Sequence, residues 1–468
     1  MEGTQAGFSF YCVVAYLVII TILGVYFGKK VKNQEDYAVA GRSLPIYVLV
    51  GTLIATWMGS GTVMGGANSM GYKLGFGVAI AFSLASPIGQ LVLTYISKKI
   101  RRQNAQTVPE VIEHVYGSKA RIVSTLIILL AYLGVVAYQY LGVGMLLNSI
   151  LGISPEMGTL VAFVVIIATS LFGGLYSVAY TDFISTVMIL TGLFVGVPLA
   201  IHGAGGWGWV VSNVPEGHMG FGELNFLQVL GFFLPTFVYI MGDQNMYQRF
   251  FAAKDENTAM KGGIWWSALT LAIGVVISMA AVTARALYPD IDASQAFITL
   301  ANNGMPKIIG GVAIAAVAAF IITTANSFLL SIGINTGWDI YARYINPNPD
   351  PKRMLFVSRC CVLGLGILGY VLIKFFPELL ALQMYAYTMY GAAISPAVVA
   401  AVCWPERMTA LGGMASILSG GATTLIMEIL KKQGVAFAVK YPSVLPAVIV
   451  SVTMLVVFQK RAEPGKLA

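Results

Sequence analysis

GTLIATWMGSGTVMGGANSMG, residues 51–71, is long enough to cross a membrane, yet glycine interrupts it at Gly51, Gly59, Gly61, Gly65, Gly66 and Gly71. Glycine in mid-helix costs about 1 kcal/mol against alanine. Any backbone group it frees inside a bilayer has to find another partner. A helix broken at membrane depth is retained where its loose carbonyls and half-helix ends hold an ion or a solute. The stretch therefore predicts a span interrupted near its middle, with a transport site at the interruption.

The rest of the chain agrees with a membrane setting. It is 57% hydrophobic and 10% charged, with a mean hydropathy of +0.79, outside the range of soluble domains. The expected fold class is an all-α polytopic membrane protein, with residues 1–468 forming a single transmembrane domain. The basic excess, 28 Lys and Arg against 20 Asp and Glu, falls in loops and gives no reason to expect nucleic acid as a partner. Cys12, Cys360, Cys361 and Cys403 sit in apolar surroundings without metal-ligand spacing and read as core thiols. His114, His202 and His218 are scattered, and no nucleophile motif or acidic cluster suggests an embedded enzyme. The first apolar run is too long for a cleavable signal, and lysines follow rather than precede it.

Apolar runs of about 20 residues give about 13 transmembrane helices: 8–28, 45–69, 75–97, 120–149, 157–174, 183–203, 225–247, 262–285, 307–336, 354–374, 379–403, 408–429 and 441–458. With the first run ending at Lys29, Lys30 and Lys32, alternation assigns 20 Lys and Arg to inner segments and seven to outer ones. That bias predicts an N-terminus outside and a C-terminus inside the cell membrane. The seventh run carries its own breakers, Gly231, Pro235 and Gly242, five spans after the broken second one and running the opposite way. Two inverted five-helix repeats, 45–203 and 225–403, are the expectation, with 8–28 as an extra N-terminal helix and 408–458 as two C-terminal helices.

Several residues could carry chemistry. Phe320, Thr323 and Thr324 share a helix face and would offer a carbonyl and two hydroxyls, hard oxygens of the kind a small cation takes. The commoner use of such threonines is to bond back to the preceding turn. Asp182 is either a functional intramembrane acid or the N-cap of a helix starting at 183, the cap being the simpler reading. Asp243 either faces a substrate amine at midplane or pairs with Arg249 at the interface. Trp57, Tyr138, Tyr140, Tyr385, Tyr387 and Tyr390 are aromatic candidates for stacking on a solute, though most such rings serve packing. Ser60, Thr62, Gln139, Gln244 and Tyr247 complete the candidate substrate contacts together with Trp57, Asp243 and Tyr385.

Together, EDYAVAGRSL (35–44), LIATWMGSGTVMG (53–65), GGLYSVAYTDF (173–183), GDQNMYQRFFAA (242–253) and TTANSFLLSIGINTGWDIY (323–341) resemble the sodium/solute symporter family. The resemblance implies a leucine-transporter-like fold of inverted repeats and sodium-driven uptake of a small organic solute. It implies Na+ as coupling ion, held by the carbonyls of Ala55, Met58 and Phe320 and the hydroxyls of Thr323 and Thr324. The family usually has alanine at the place of Phe320 and often serine at Thr323, changes that keep a carbonyl and a hydroxyl. A second sodium, as in some members, would fall on Asp182, Thr323, Asn326 and Ser327. Some segments look like the high-affinity choline branch, with Trp57 as a cage residue. Leu133 and Asp243 stand where two further cage tryptophans would be, which shifts the expectation to another solute bearing an amine or cationic group. The alternatives are a proton-coupled carrier of the same fold, with Asp182 or Asp243 titrating, or a sodium symporter for a carboxylate such as pantothenate or a monocarboxylate, or for a sugar. The unit expected to function in the lipid bilayer is a monomer.

Overall fold

The computed structural model describes residues 2–31, 33–171, 174–222, 224–375 and 378–460. Lys32, Gly173 and the tail 461–468, used in the charge and motif readings, lie outside the described residues. Every apolar run lies on a helix: α1 (Glu2–Gly28), α2 (Ile46–Trp57), α3 (Gly61–Lys73), α4 (Phe76–Arg102), α5 (Ser118–Leu151), α6 (Pro155–Ser170), α7 (Leu175–Gly203), α8 (Phe226–Gly242), α9 (Gln244–Ala252), α10 (Glu256–Leu287), α11 (Lys307–Ile334), α12 (Pro351–Leu372), α13 (Leu379–Cys403), α14 (Ala410–Lys432) and α15 (Val444–Val457). Among the described residues, ten helices are long and apolar enough to cross a membrane, or eleven with α2 and α3 counted as one bent span; α6 and α15 are shorter.

Helix ends follow local chemistry. Ser154 accepts from Met157 N ahead of Pro155 at the start of α6, and Asn225 with Gln228 forms a capping box on α8. The sixth span starts at Leu175, eight residues before the sequence reading placed it. The polar run Tyr180-Thr181-Asp182 hides the first two turns, whose Leu175 and Ala179 are buried. Asp182 is therefore interior to α7, and the expectation that it caps the helix is corrected.

In each half, the first helix packs extensively against the fifth: α2 against α7, and α8 against α13. The cross-contacts mirror one another too, α8 lying on α4 and α2 on α10, with α4 and α10 in the most extensive contact of all. That mirrored packing is what two inverted repeats produce. The most buried spans are α11 and α13, each 83% inside, whereas α1 and α12 are 22% inside and peripheral. Cys360 is exposed and the other three cysteines are half-buried, so the thiols flank the core instead of filling it as expected. Arg121 and Arg249, counted as loop charges, are also buried.

At one end of the bundle an ionic knot joins the short helix Val108–Tyr116, the start of α5 and the segment Asn335–Ile345. Arg121 Nη2 lies 2.7 Å from Asp339 and its Nη1 2.5 Å from Glu113. Arg343 reaches Glu113 at 2.7 Å, and Thr107 donates to Asp339 at 2.8 Å. Burial alone would raise the Glu113 carboxyl, but hydrogen bonds from Arg121 and Arg343 outweigh it and hold Glu113 below the usual glutamate range.

A Cβ on Gly51 would come 2.7 Å from the Phe183 Cα, so α2 and α7 touch backbone to backbone there. Gly51→Ala should cost about 1–3 kcal/mol through overpacking, seen as a lowered thermal midpoint in detergent; an unchanged midpoint would mean the two helices can part freely. Because Glu113 is depressed in the fold, its contribution is complete above the unfolded carboxyl's pKa of about 4.3 and is lost as pH falls through the lower folded value. Glu113→Gln should therefore flatten the acid side of the stability–pH profile while lowering stability at neutral pH.

Candidate functional site

α2 stops where Met58 turns extended (φ −89°, ψ 95°), with its N–H still bonded to Ile54. Beyond it the chain resumes as α3 at a 61° bend. Side chains from elsewhere repair the interruption: Gln139 on α5 accepts from Ser60 N at 2.9 Å, and the Ser60 hydroxyl donates to the Tyr138 carbonyl at 3.0 Å. A Cβ at Gly59 would sit 2.6 Å from Gln139 Nε2 and push that amide off its bond to Ser60 N. Ser60 and Gln139, expected to contact substrate, are thus braces of the break.

The carbonyls freed by the break face α11. Thr324 Oγ1 lies 3.1 Å from both Ala55 O and Met58 O. Thr323 Oγ1 lies 3.1 Å from Ala55 O, 2.7 Å from Ala319 O and 3.2 Å from Phe320 O. The back-bonding and bridging readings of these threonines are therefore both present. All five oxygens named from the sequence converge, with both threonines nearly fully buried. Two hydroxyl hydrogens serve four carbonyl oxygens here; those of Ala319 and Phe320 also take helical N–H groups of α11, whereas those of Ala55 and Met58 are freed by the break. A small hard cation would balance such a set.

The second constellation does not assemble as expected. Asp182 Oδ2 accepts from Thr52 at 2.6 Å and from Thr56 at 3.3 Å, and Thr56 lies 3.1 Å from Ser327. Asn326, one residue earlier on α11, points away and accepts instead from Thr169 and Ser170 of α6. There it borders a cleft of about 730 Å³ lined by α1, α6 and α7. Beside Asp182 stands the guanidinium of Arg249, 3.6 Å away.

Asp243 breaks the α8–α9 span and caps α9 through Asn245 N. It is fully buried, accepts from the hydroxyls of Tyr132 and Tyr239, and forms no ion pair with Arg249 among those recorded for the described residues. Tyr390 repairs this second break, accepting from Gln244 N at 3.0 Å and donating to Gly242 O at 2.9 Å. Gln244 bonds Asn335 and Val108 N, and Tyr247 donates to Met241 O, so both hold structure together.

Beside the first break lies a cavity of about 20 Å³, room for about one water. Trp57 and Thr62, two of the residues expected to contact substrate, line it. Its other walls include Thr236, Thr270, Gln383 and Tyr387. Thr236 Oγ1, Thr270 Oγ1 and Gln383 Oε1 have no hydrogen-bond partner among the described residues. Trp57, Tyr239 and Tyr387 stack, with Tyr239 and Tyr387 4.3 Å apart. Tyr385, named from the sequence, is half-buried and does not border the cavity. Two residues along a helix turn the side chain to the other side, so Gln383 and Tyr387, one turn apart, form the wall. Thr236 adjoins the breaker Pro235, the one sequence signal that could have found it.

The high-affinity proline transporter PutP of Bacillus subtilis is 28% identical over 427 residues, spanning 86% of this chain and 89% of that protein. The sodium/pantothenate symporter of Escherichia coli is 26% identical, spanning 92% of this chain and 93% of its own length. A Na+-coupled sialic acid symporter solved in a substrate-bound outward-open state superposes with a TM-score of 0.80 at 18% identity, over 97% of this chain and 99% of that one. That likeness shows the fold, the leucine-transporter-like arrangement of helices. The model of the sodium:solute symporter family matches residues 37–420. The chain belongs to the sodium:solute symporter family, and is a sodium-coupled secondary transporter, not an enzyme.

Proposed function

We propose that this protein imports a small amine-bearing solute together with sodium, the ion bound by the carbonyls of Ala55, Met58 and Phe320 and the hydroxyls of Thr323 and Thr324. The observation that carries this reading is the five-oxygen cluster itself, with more acceptors than hydrogens at the seam of α2 and α11. An ion there ties the two elements together, so a conformation that parts them loses it. Differential binding of that kind is what couples an ion to alternating access.

The solute would enter the cavity beside the break. Faces of Trp57 and Tyr387 suit an ammonium by cation–π attraction. The unpartnered hydroxyls of Thr236 and Thr270 suit a carboxylate as donors, and the unpartnered Gln383 Oε1 suits an N–H of the solute. No ionised side chain borders the cavity among the described residues. A solute whose charges balance internally, an amino acid such as the proline carried by the Bacillus relative, meets those terms better than a free anion. Asp243 would act at one remove, through the Tyr239 hydroxyl that touches it. The site is complete within one chain, in keeping with a functional monomer. Orientation with the N-terminus outside remains favoured by positive charge, because setting aside the buried Arg121 and Arg249 leaves the excess on the same side.

Sodium at 100 times its Kd should stabilise the purified protein by about 2.7 kcal/mol, read as a higher melting temperature in sodium than in potassium. Thr324→Ala should weaken apparent sodium affinity by about tenfold or more, on the scale of one charged hydrogen bond, while Thr324→Ser retains it. An unchanged sodium shift in Thr324→Ala would refute the site. Trp57→Ala should abolish sodium-dependent stabilisation by proline or another amino acid from a screened panel, yet keep the shift due to sodium alone. A panel in which only sugars or simple carboxylates stabilise would refute the substrate class.

A further inference from the structure

Outside the ion and solute sites, α8, α13 and α15 enclose a groove of about 450 Å³. Its walls are apolar: Leu234, Phe237 and Met241 of α8, Val399 of α13, and Val448 and Val452 of α15. Val452 and its neighbour in the wall, Val456, are exposed, so the groove opens sideways, toward lipid. Its deep end is Ser395, whose Oγ would lie 2.4 Å from a Cβ on Gly242 at the second break. From Ser395 to Cys403, where α13 ends, the helix rises about 12 Å, and Val448 to Val456 of α15 rises as far. Half a hydrocarbon core is about 15 Å, so the groove spans roughly the depth of one leaflet. The mouth is different in kind, being lined by Trp404, Arg407 and Gln459. Lys460 N donates to the Arg407 carbonyl at 2.8 Å, and the Thr409 hydroxyl donates to the Phe458 carbonyl. These two bonds fasten the turn after α13 to the end of α15 and seat Lys460 beside Arg407. Arg407 pairs with no carboxylate among the described residues.

We propose that this groove binds an anionic phospholipid: one acyl chain lies between α8, α13 and α15, and the phosphate meets Arg407 and Lys460. A guanidinium forks onto two phosphate oxygens, and a nearby ammonium adds to the attraction for an anionic headgroup. Trp404 stands at the same level, where amphipathic rings anchor to the headgroup region. Charge selects this place over the larger cleft of about 730 Å³ between α1, α6 and α7, whose lining holds no charged residue. An apolar helix of a second copy would fill the groove but leave both cations unanswered. The inference is independent of the sodium and solute readings.

The test is native mass spectrometry of the purified, delipidated full-length protein, titrated with phosphatidylglycerol or with phosphatidylcholine of the same acyl chains. One phosphatidylglycerol per chain should bind ahead of any other lipid, and more tightly than phosphatidylcholine. Arg407→Gln and Lys460→Gln should each weaken it about fivefold, the scale of one basic residue against an anionic membrane surface. Val452→Trp, which fills the groove and leaves the charges, should weaken both lipids alike. All three substituted side chains are exposed, so each variant should keep the melting temperature of the wild type. Equal affinity for the two lipids would overturn the proposal, as would an unchanged phosphatidylglycerol affinity in Arg407→Gln/Lys460→Gln. Loss in Lys30→Gln, at the end of α1, with no loss in those variants would place the lipid in the other cleft and overturn it too. Displacement by inorganic phosphate with no effect of Val452→Trp would reduce the site to a free-anion site, and a dimer broken by Val452→Trp would make a second copy the occupant. Either result rules out the lipid.

Discussion

The carbonyls of Ala55 and Met58, released where α2 stops, have no water to turn to in the middle of a bilayer. Their need for partners organises the centre of the molecule. Two threonines of α11 supply hydroxyls, Gln139 takes the stray N–H of Ser60, and glycine at 59 leaves room for that amide. Spanning segments far apart in sequence are thereby committed to one point. The second break is closed by other means, Tyr390 bonding both of its lips and Asp243 capping the helix beyond.

The two polar centres share their scaffolding. Thr52, Ala55, Thr56 and Met58 come from one helix end, and Thr323, Thr324 and Ser327 from one face of α11. The first cluster is a set of neutral oxygens short of hydrogens, whereas the second contains a carboxylate and already has its positive charge in Arg249. A buried ion pair is costly to assemble and seldom adds net stability. Its retention here is better understood as fixing where α2, α7, α9 and α11 meet, with charge balanced locally, than as a contribution to overall stability.

Much of this was legible in the sequence. Hydrophobic runs located the helices, the glycine-rich stretch 51–71 located the break, and the spacing of Thr323 and Thr324 located oxygens that do converge. The failures have physical causes. Asp182 resembled a cap because polar neighbours lowered the local hydropathy at the start of α7. Arg249 resembled a loop charge because no feature of a single chain distinguishes an arginine that finds a carboxylate 67 positions away from one that meets water. Asn326 and Tyr385 were lost to an angular error: adjacent residues on a helix diverge by about 100°, and only tertiary packing says which of two neighbours faces inward.

The Asp182–Arg249 pair also bears on energy conversion. A membrane potential does work only on charge that crosses it, about 2.3 kcal/mol per elementary charge per 100 mV. A pair that remains neutral and in place adds nothing to that work, so a cycle carrying one sodium with a zwitterionic solute would move one net positive charge. At 100 mV the electrical driving force alone would then sustain roughly a 50-fold solute gradient. A second travelling ion would square that ceiling, at twice the expenditure of the sodium gradient for every molecule taken up.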